Sequence, residues 1–141
     1  MKSRRNYRLG IISVIYKYEL LGEKLSSGQI FSEESDIDNE QFKQLELISL
    51  NYDYYQKTIL KFLNQNTAWT KLPALIRAIL INATHELFSI TPKVVINEAV
   101  EITKYFYDTE SNFYKLVNAI VQNIYKYFVI NEQLNKMKNN N

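Results

Sequence analysis

The chain has 141 residues, 46% of them hydrophobic, with no cysteine, one histidine, three glycines, two prolines and a formal charge of +2. That length suits one domain burying roughly 68% of the surface its unfolded form exposes, so no disulfide or metal staple is required. Without Cys, disulfides, thiolate catalysis, Fe–S clusters and thiolate zinc sites are excluded, the lone His85 cannot build a metal site, and a reducing cytoplasm is the expected compartment.

From the N-terminus, residues 1–24 carry Lys2, Arg4, Arg5, Arg8, Lys17 and Lys24 against Glu19 and Glu23, a net +4. This start has the basic flavour of a signal peptide, but Ser13 and Lys17 interrupt the apolar part and no A-x-A-like site follows, so no export signal is read. The spacing predicts a helix over about 4–22 with Ile12, Ile15, Tyr16 and Leu20 on one side and Gly22 as its left-handed terminator. The polar stretch 23–35 reads as a loop. Residues 25–56 hold seven acids against Lys43, a net −6, and a second helix is expected to start at Asp36 or Asp38, whose carboxylates can cap its first turn, and to end before Asn51. A further helical stripe, Ile48, Tyr52, Tyr55, Ile59, Phe62 and Leu63, fades at Asn64-Gln65-Asn66; Trp69 then sits in a short connector of one helical turn.

Leu72, Leu75, Ile76, Ile79, Leu80, Ala83 and Leu87 define the next helix, with Pro73 in its first turn. Thr91 and Pro92 read as N-cap and first residue of another, running to about Phe106. Phe113, Leu116, Val117, Ile120, Val121, Ile124 and Phe128 mark the last long helix, whose wide stripe should be mostly buried. Its apolar run at 116–125 contains Asn118, Gln122 and Asn123 and falls short of the roughly 18 residues of a membrane span. Residues 57–141 return to +4, and the tail 135–141 is too polar to offset ordering entropy and should be frayed. No repeat of 20–50 residues is visible. The expectation is a single all-α domain over 1–134, divided into an N-terminal half of about 1–68 and a C-terminal half of about 69–134.

The chain offers little for catalysis. It has no Gly-rich phosphate loop and no H-E-x-x-H, so no cofactor, metal or catalytic residue is assigned. His85-Glu86 is the nearest thing to an acid–base pair, but adjacent helical residues diverge by about 100°. Glu98 and Glu101, one turn apart, suit a solvated face or ion-pair partners better than a paired-carboxylate site.

The opening helix is the stronger candidate. Arg4, Arg5 and Arg8 lie close on a helical wheel, with Lys2 before them, and guanidinium groups there can grip successive phosphates. They also sit where the helix dipole disfavours cations, a placement easier to understand if an anion arrives. Of the 11 tyrosines most fall on core stripes, leaving Tyr7, beside the arginines, as the candidate base-stacking residue.

The run Pro92-Lys93-Val94-Val95-Ile96-Asn97-Glu98-Ala99-Val100-Glu101-Ile102-Thr103-Lys104, followed by Leu116-Val117-Asn118-Ala119-Ile120, resembles the signature of the NusB family of bacterial transcription antitermination factors. Arg4-Arg5, Arg8, Ile15-Tyr16 and Leu20 are similar to its Arg-rich first helix, and Trp69, Arg77-Ala78-Ile79-Leu80 and His85-Glu86-Leu87 to its middle. The resemblance implies a two-lobed domain of about six to seven helices. It also implies binding of boxA-like single-stranded RNA together with NusE, a small-subunit ribosomal protein, in an RNA polymerase antitermination complex. Carried across by position, Arg4, Arg5 and Arg8 belong to the RNA site and Tyr16 and Glu86 to the partner surface; Lys2 and Tyr7 join the RNA site as neighbours of the arginines. Asn97, Glu98 and Asn118 are then expected to satisfy polar groups between helices, with Arg77 as a partner, and Ala99 and Ala119 to permit close helix approach.

The sequence departs from the family pattern at Ser13, Ile81, His85 and Ala119, in place of Gln, Arg, Tyr and Gly, and between Tyr107 and Lys115 it is about two residues longer. These changes bear on RNA preference and partner geometry. An alternative therefore stands beside the RNA-binding adaptor: a protein-interaction module, homodimeric or NusE-binding, whose RNA site has decayed.

Overall fold

The computed structural model describes residues 2–139, with side chains to residue 132. Six α-helices and two short 3-10 turns account for its regular structure, and no strand occurs among the described residues. Helix α1 spans Arg4–Leu21; Ser3 caps it by accepting from the Asn6 amide at 3.1 Å. At its end Gly22 adopts φ 66°, and its N–H and that of Glu23 bond back to the carbonyls of Glu19 and Tyr18. The buried side is Arg8, Ile11, Ile12, Val14, Ile15 and Tyr18; Leu20, expected there, is 60% exposed, because the seam drifts one position along the wheel.

The expected loop at 23–35 contains a helix, α2, Ser27–Glu33, capped by Ser26. Its single buried residue, Ile30, is too little apolar periodicity to be seen in the sequence. The two segments expected on either side of Asn51 are one helix, α3, Asn39–Leu60. Asp38 and Gln41 form a reciprocal capping box at its start. Asn51 does not break it: it sits exposed, its side-chain amide donating to the Leu47 carbonyl at 2.8 Å, while the buried stripe of Leu45, Ile48, Tyr55 and Ile59 runs past it.

Trp69–Lys71 forms the expected single turn, with Trp69 partly buried against the core. Pro73 occupies the N-cap of α4, Ala74–Glu86, in which ten of 13 residues are buried. A helix apolar nearly all round belongs in the middle, and α4 packs against α1, α3, α5 and α6. The two expected halves thus share one core through α4. Thr91 and Pro92 take their expected places at the start of α5, Pro92–Phe106, although the Thr91 side chain makes no capping bond. A turn at Thr109–Ser111 leads into α6, Phe113–Asn139, which packs on α5 and continues past residue 134; positions 140 and 141 of the expected frayed tail lie outside the described residues.

The polar packing expected around the family signature is differently partnered. Arg77 pairs with Glu19 at 3.2 Å, Glu98 with Arg5 at 2.9 Å, and Asn118 accepts from Gln122 within α6. Asn97 and Ala119 are exposed, whereas Ala99 is buried as expected.

Candidate nucleic-acid interface

The first turn of α1 contains no acid, so its free amides and its cations both present positive charge. The four cations of this region have four different surroundings. Lys2 is tethered to the start of α3, donating to Gln41 Oε1 at 2.6 Å and to the Asp36 carbonyl at 3.1 Å, with Asp38 at 3.7 Å. Arg4 is exposed and makes no hydrogen bond or ion pair among the described residues. Arg5 is half exposed and donates through Nε to one oxygen of Glu98, with Nη2 also 2.9 Å from that oxygen; this hydrogen bond and then the carboxylate charge raise the already high guanidinium pKa. Arg8 is buried, its Nε 2.9 Å from both oxygens of Glu86.

The three arginines therefore do not form one exposed face. Arg4 and Arg5 point outward, and Arg8 is turned into the α1–α4 seam, since position 8 continues the buried stripe of Ile11, Ile15 and Tyr18. Tyr7 is partly buried against the core; burial first, then Glu40 and Asp38, push its hydroxyl up to about 12. A cleft of about 450 Å³ brings together Lys2, Arg4, Tyr7, Arg8, His85 and Glu86.

Glu86 is held at this cleft by Arg8 and by Asn82, which donates to it at 3.0 Å. Burial pushes its carboxyl pKa up and these two donors pull it back, leaving it raised. His85 is bonded at both ring nitrogens, to the Tyr55 hydroxyl at 2.8 Å and to Gln44 Oε1 at 2.6 Å. The amide oxygen can only accept, so Nε2 carries the proton and Nδ1 accepts from Tyr55. Burial lowers the imidazole pKa, which keeps the ring neutral. Tyr16, the other expected partner-surface residue, is partly buried beside Tyr107, about two turns along α1 from the Arg8–Glu86 pair, so the two are not brought together.

On the other side of the opening turn a cleft of about 340 Å³ is lined by Arg5, Asn6, Leu9 and Tyr105. Tyr105 is 80% exposed, a large ring in water next to a guanidinium. Sequence reasoning passed over it; the only local signal is an aromatic outside the α5 apolar stripe. The arrangement can bind phosphate and stack bases. Among the described residues no group of three His, Asp or Glu is placed to hold a metal ion.

The model of the NusB family matches residues 5–126. The chain belongs to the NusB family. Among its NusB relatives, the transcription antitermination protein of Fusobacterium nucleatum is 36% identical over 110 residues, 77% of this chain and 64% of that protein. The corresponding Campylobacter jejuni NusB is 33% identical over 133 residues, 89% of this chain and 98% of that protein. A solved structure of T. maritima NusB superposes with a TM-score of 0.74 at 26% identity, covering 89% of this chain and 92% of that one. The NusB helices carry no segment long and apolar enough to cross a membrane, among the described residues.

Proposed function

We propose that this chain is a non-enzymatic, cytoplasmic RNA-binding antitermination factor, which holds boxA-like single-stranded RNA together with NusE and links it to RNA polymerase. The observation that carries the reading is Arg4, exposed and without a hydrogen-bond or ion-pair partner among the described residues on the acid-free first turn of α1, with Arg5 half exposed beside it. Tyr7 and Tyr105 flank them from the two clefts. Arg4 supplies a phosphate contact directly. Arg5 supplies one when an RNA phosphate displaces or shares Glu98, since the Arg5 side of that pair is half exposed. Lys2 contributes charge at the rim, and Arg8 acts behind them, orienting the turn through Glu86. Tyr16 belongs to the partner surface of this reading, while Glu86 shapes that region from within the cleft. Binding is cooperative if RNA and NusE meet on one joined surface.

The test is a titration of boxA-like RNA against the chain with and without NusE, at several salt concentrations. Each phosphate neutralised on a single strand adds about 0.7 to the slope of log affinity against log salt. Arg4→Ala with Arg5→Ala should flatten the slope by more than 1; an unchanged slope removes them from the site. The second reading, a protein-interaction module with a decayed RNA site, is favoured by the withdrawal of Arg8 into its pair with Glu86. NusE binding with no enhancement by RNA would select it.

A further inference from the structure

Helices α5 and α6 leave between them an open groove of about 1200 Å³. Lys93 and Lys104 of α5 and Lys115 and Lys126 of α6 line it; the one acid in its lining is Glu98, already engaged by Arg5. The spacing of these lysines is regular. Each pair is 11 residues apart, three helical turns or about 16 Å, so each helix presents one lysine near each end of the groove on a common face. The two helices form an antiparallel hairpin closed by the 107–112 connection, which sets Lys104 opposite Lys115 and Lys93 opposite Lys126.

Tyr114 lies at the first end, with Lys104 Nζ 5.0 Å and Lys115 Nζ 5.9 Å from its ring centre. Tyr125, 38% exposed, lies beside Lys126 at the other. Both ends therefore combine two ammonium groups with one aromatic ring, and Asn97, Asn118 and Gln122 provide neutral amides between them. Lys104 is partly offset by Glu101 at 3.9 Å, which leaves three lysines with no carboxylate within ion-pair distance among the described residues.

We propose that the α5–α6 groove is a second station for single-stranded RNA, taking the strand onward from Arg5 with phosphates at its two lysine pairs and bases on Tyr114 and Tyr125. The proposal rests on the RNA-binding reading above. Arg5 joins the two stations physically, because its partner Glu98 forms part of the groove wall. Charge alone would also suit an acidic peptide; the pairing of each lysine doublet with a ring favours a strand that has both phosphates and stacking faces. A span of about 16 Å accommodates on the order of four nucleotides.

The experiment compares unstructured RNAs of on the order of 6 and 16 nucleotides, each starting at the same boxA-like sequence, by fluorescence anisotropy across a salt series. The wild-type chain should bind the longer strand about tenfold or more tightly. Lys93→Gln, Lys115→Gln and Lys126→Gln together should remove that advantage and flatten its salt slope by about 2, leaving the short strand unaffected and the helical circular dichroism unchanged. Ultraviolet crosslinks to Tyr125 should form with the long strand only. Arg4→Ala with Arg5→Ala should weaken both lengths. If the arginine changes weaken both lengths and the lysine changes neither, the groove is overturned and the first site stands. If only the lysine changes act, the groove stands and the N-terminal site falls. No RNA binding at either length overturns both, and tight lysine-dependent binding of oligoglutamate without an RNA length effect reassigns the groove to acidic peptides.

Discussion

Arg8 of α1 and Glu86 of α4, 78 residues apart in the chain, form an ion pair inside the protein with Nε 2.9 Å from both carboxylate oxygens. At the far end of the same seam Glu19 of α1 meets Arg77 of α4 at 3.2 Å, so the signs are exchanged. Eleven residues separate the two α1 members and nine the two α4 members, which matches antiparallel helices side by side. Running the helices parallel would set Arg8 against Arg77 and Glu19 against Glu86. The pairs therefore act against that alternative as well as satisfying each other.

Glu86→Ala is expected to destabilise the fold by about 3–5 kcal/mol, since it leaves the Arg8 guanidinium buried without its partner. Arg8→Met combined with Glu86→Leu should recover most of that loss, because both desolvation penalties disappear together. Urea denaturation of the three variants decides it; a double variant as unstable as Glu86→Ala would contradict the account.

His85 predicts a dependence on pH. Burial holds its folded pKa below the ordinary 6.5, so the unfolded chain takes up the proton first. Its contribution is complete above pH 6.5 and is lost as pH falls through the folded value. Protonation also places a hydrogen on Nδ1, where Tyr55 now donates. Glu86 has the opposite sign: its raised carboxyl pKa favours the folded state as it protonates, a contribution lost as pH rises through the folded value. Urea midpoints between about pH 5 and 8 should fall on the acid side in the wild type and less so in His85→Gln. Equal slopes in both chains would remove His85 as the cause.

Two glycines in the first helix region should respond to alanine for different reasons. Gly22 has φ 66° and nothing near its missing Cβ, so Gly22→Ala meets conformational strain alone and should cost about 1 kcal/mol, less for Gly22→Asn. Thermal melts of the two variants would show that order, and a Gly22→Asn chain no more stable than Gly22→Ala would argue against it.

Gly10→Ala would ordinarily strengthen a helix interior by up to about 1 kcal/mol. Here the new Cβ would stand 2.3 Å from Gln41 Nε2. Gln41 is fully buried; it donates to the Tyr7 carbonyl and accepts from Lys2 and from the Asp38 amide. Displacing it loosens those bonds, and a net loss of about 1–2 kcal/mol is expected. A Gly10→Ala protein melting above the wild type would show that Gln41 yields freely.

Asp38→Ala removes the acceptor that caps α3 and one neighbour of Lys2. A loss of about 1 kcal/mol is expected, with Lys2 more mobile at the rim of the candidate interface. Stability by urea titration, and RNA affinity measured alongside, would separate the cap from the charge; an unchanged urea midpoint would show that the cap contributes little.

The all-helical class, the terminator at Gly22, the Thr91-Pro92 start of α5 and the resemblance to NusB are all legible in the sequence, because periodicity, capping and φ preference act over a few residues. The same local rules placed a break at Asn51 and a loop across Ser27–Glu33, where the buried stripe of α3 on both sides of Asn51 and the single buried Ile30 of α2 tip the balance. Three arginines close on a wheel could not be sorted into outward Arg4 and Arg5 and inward Arg8 without knowing where α4 runs. Nor could Glu98 be assigned to Arg5, 93 positions away. The chain's own order of residues determined which segments coil and where each begins and stops. Only the packing of those coils decided which charges were desolvated against each other and which remained in water, since burial of a charge depends on neighbours that sequence distance does not reveal.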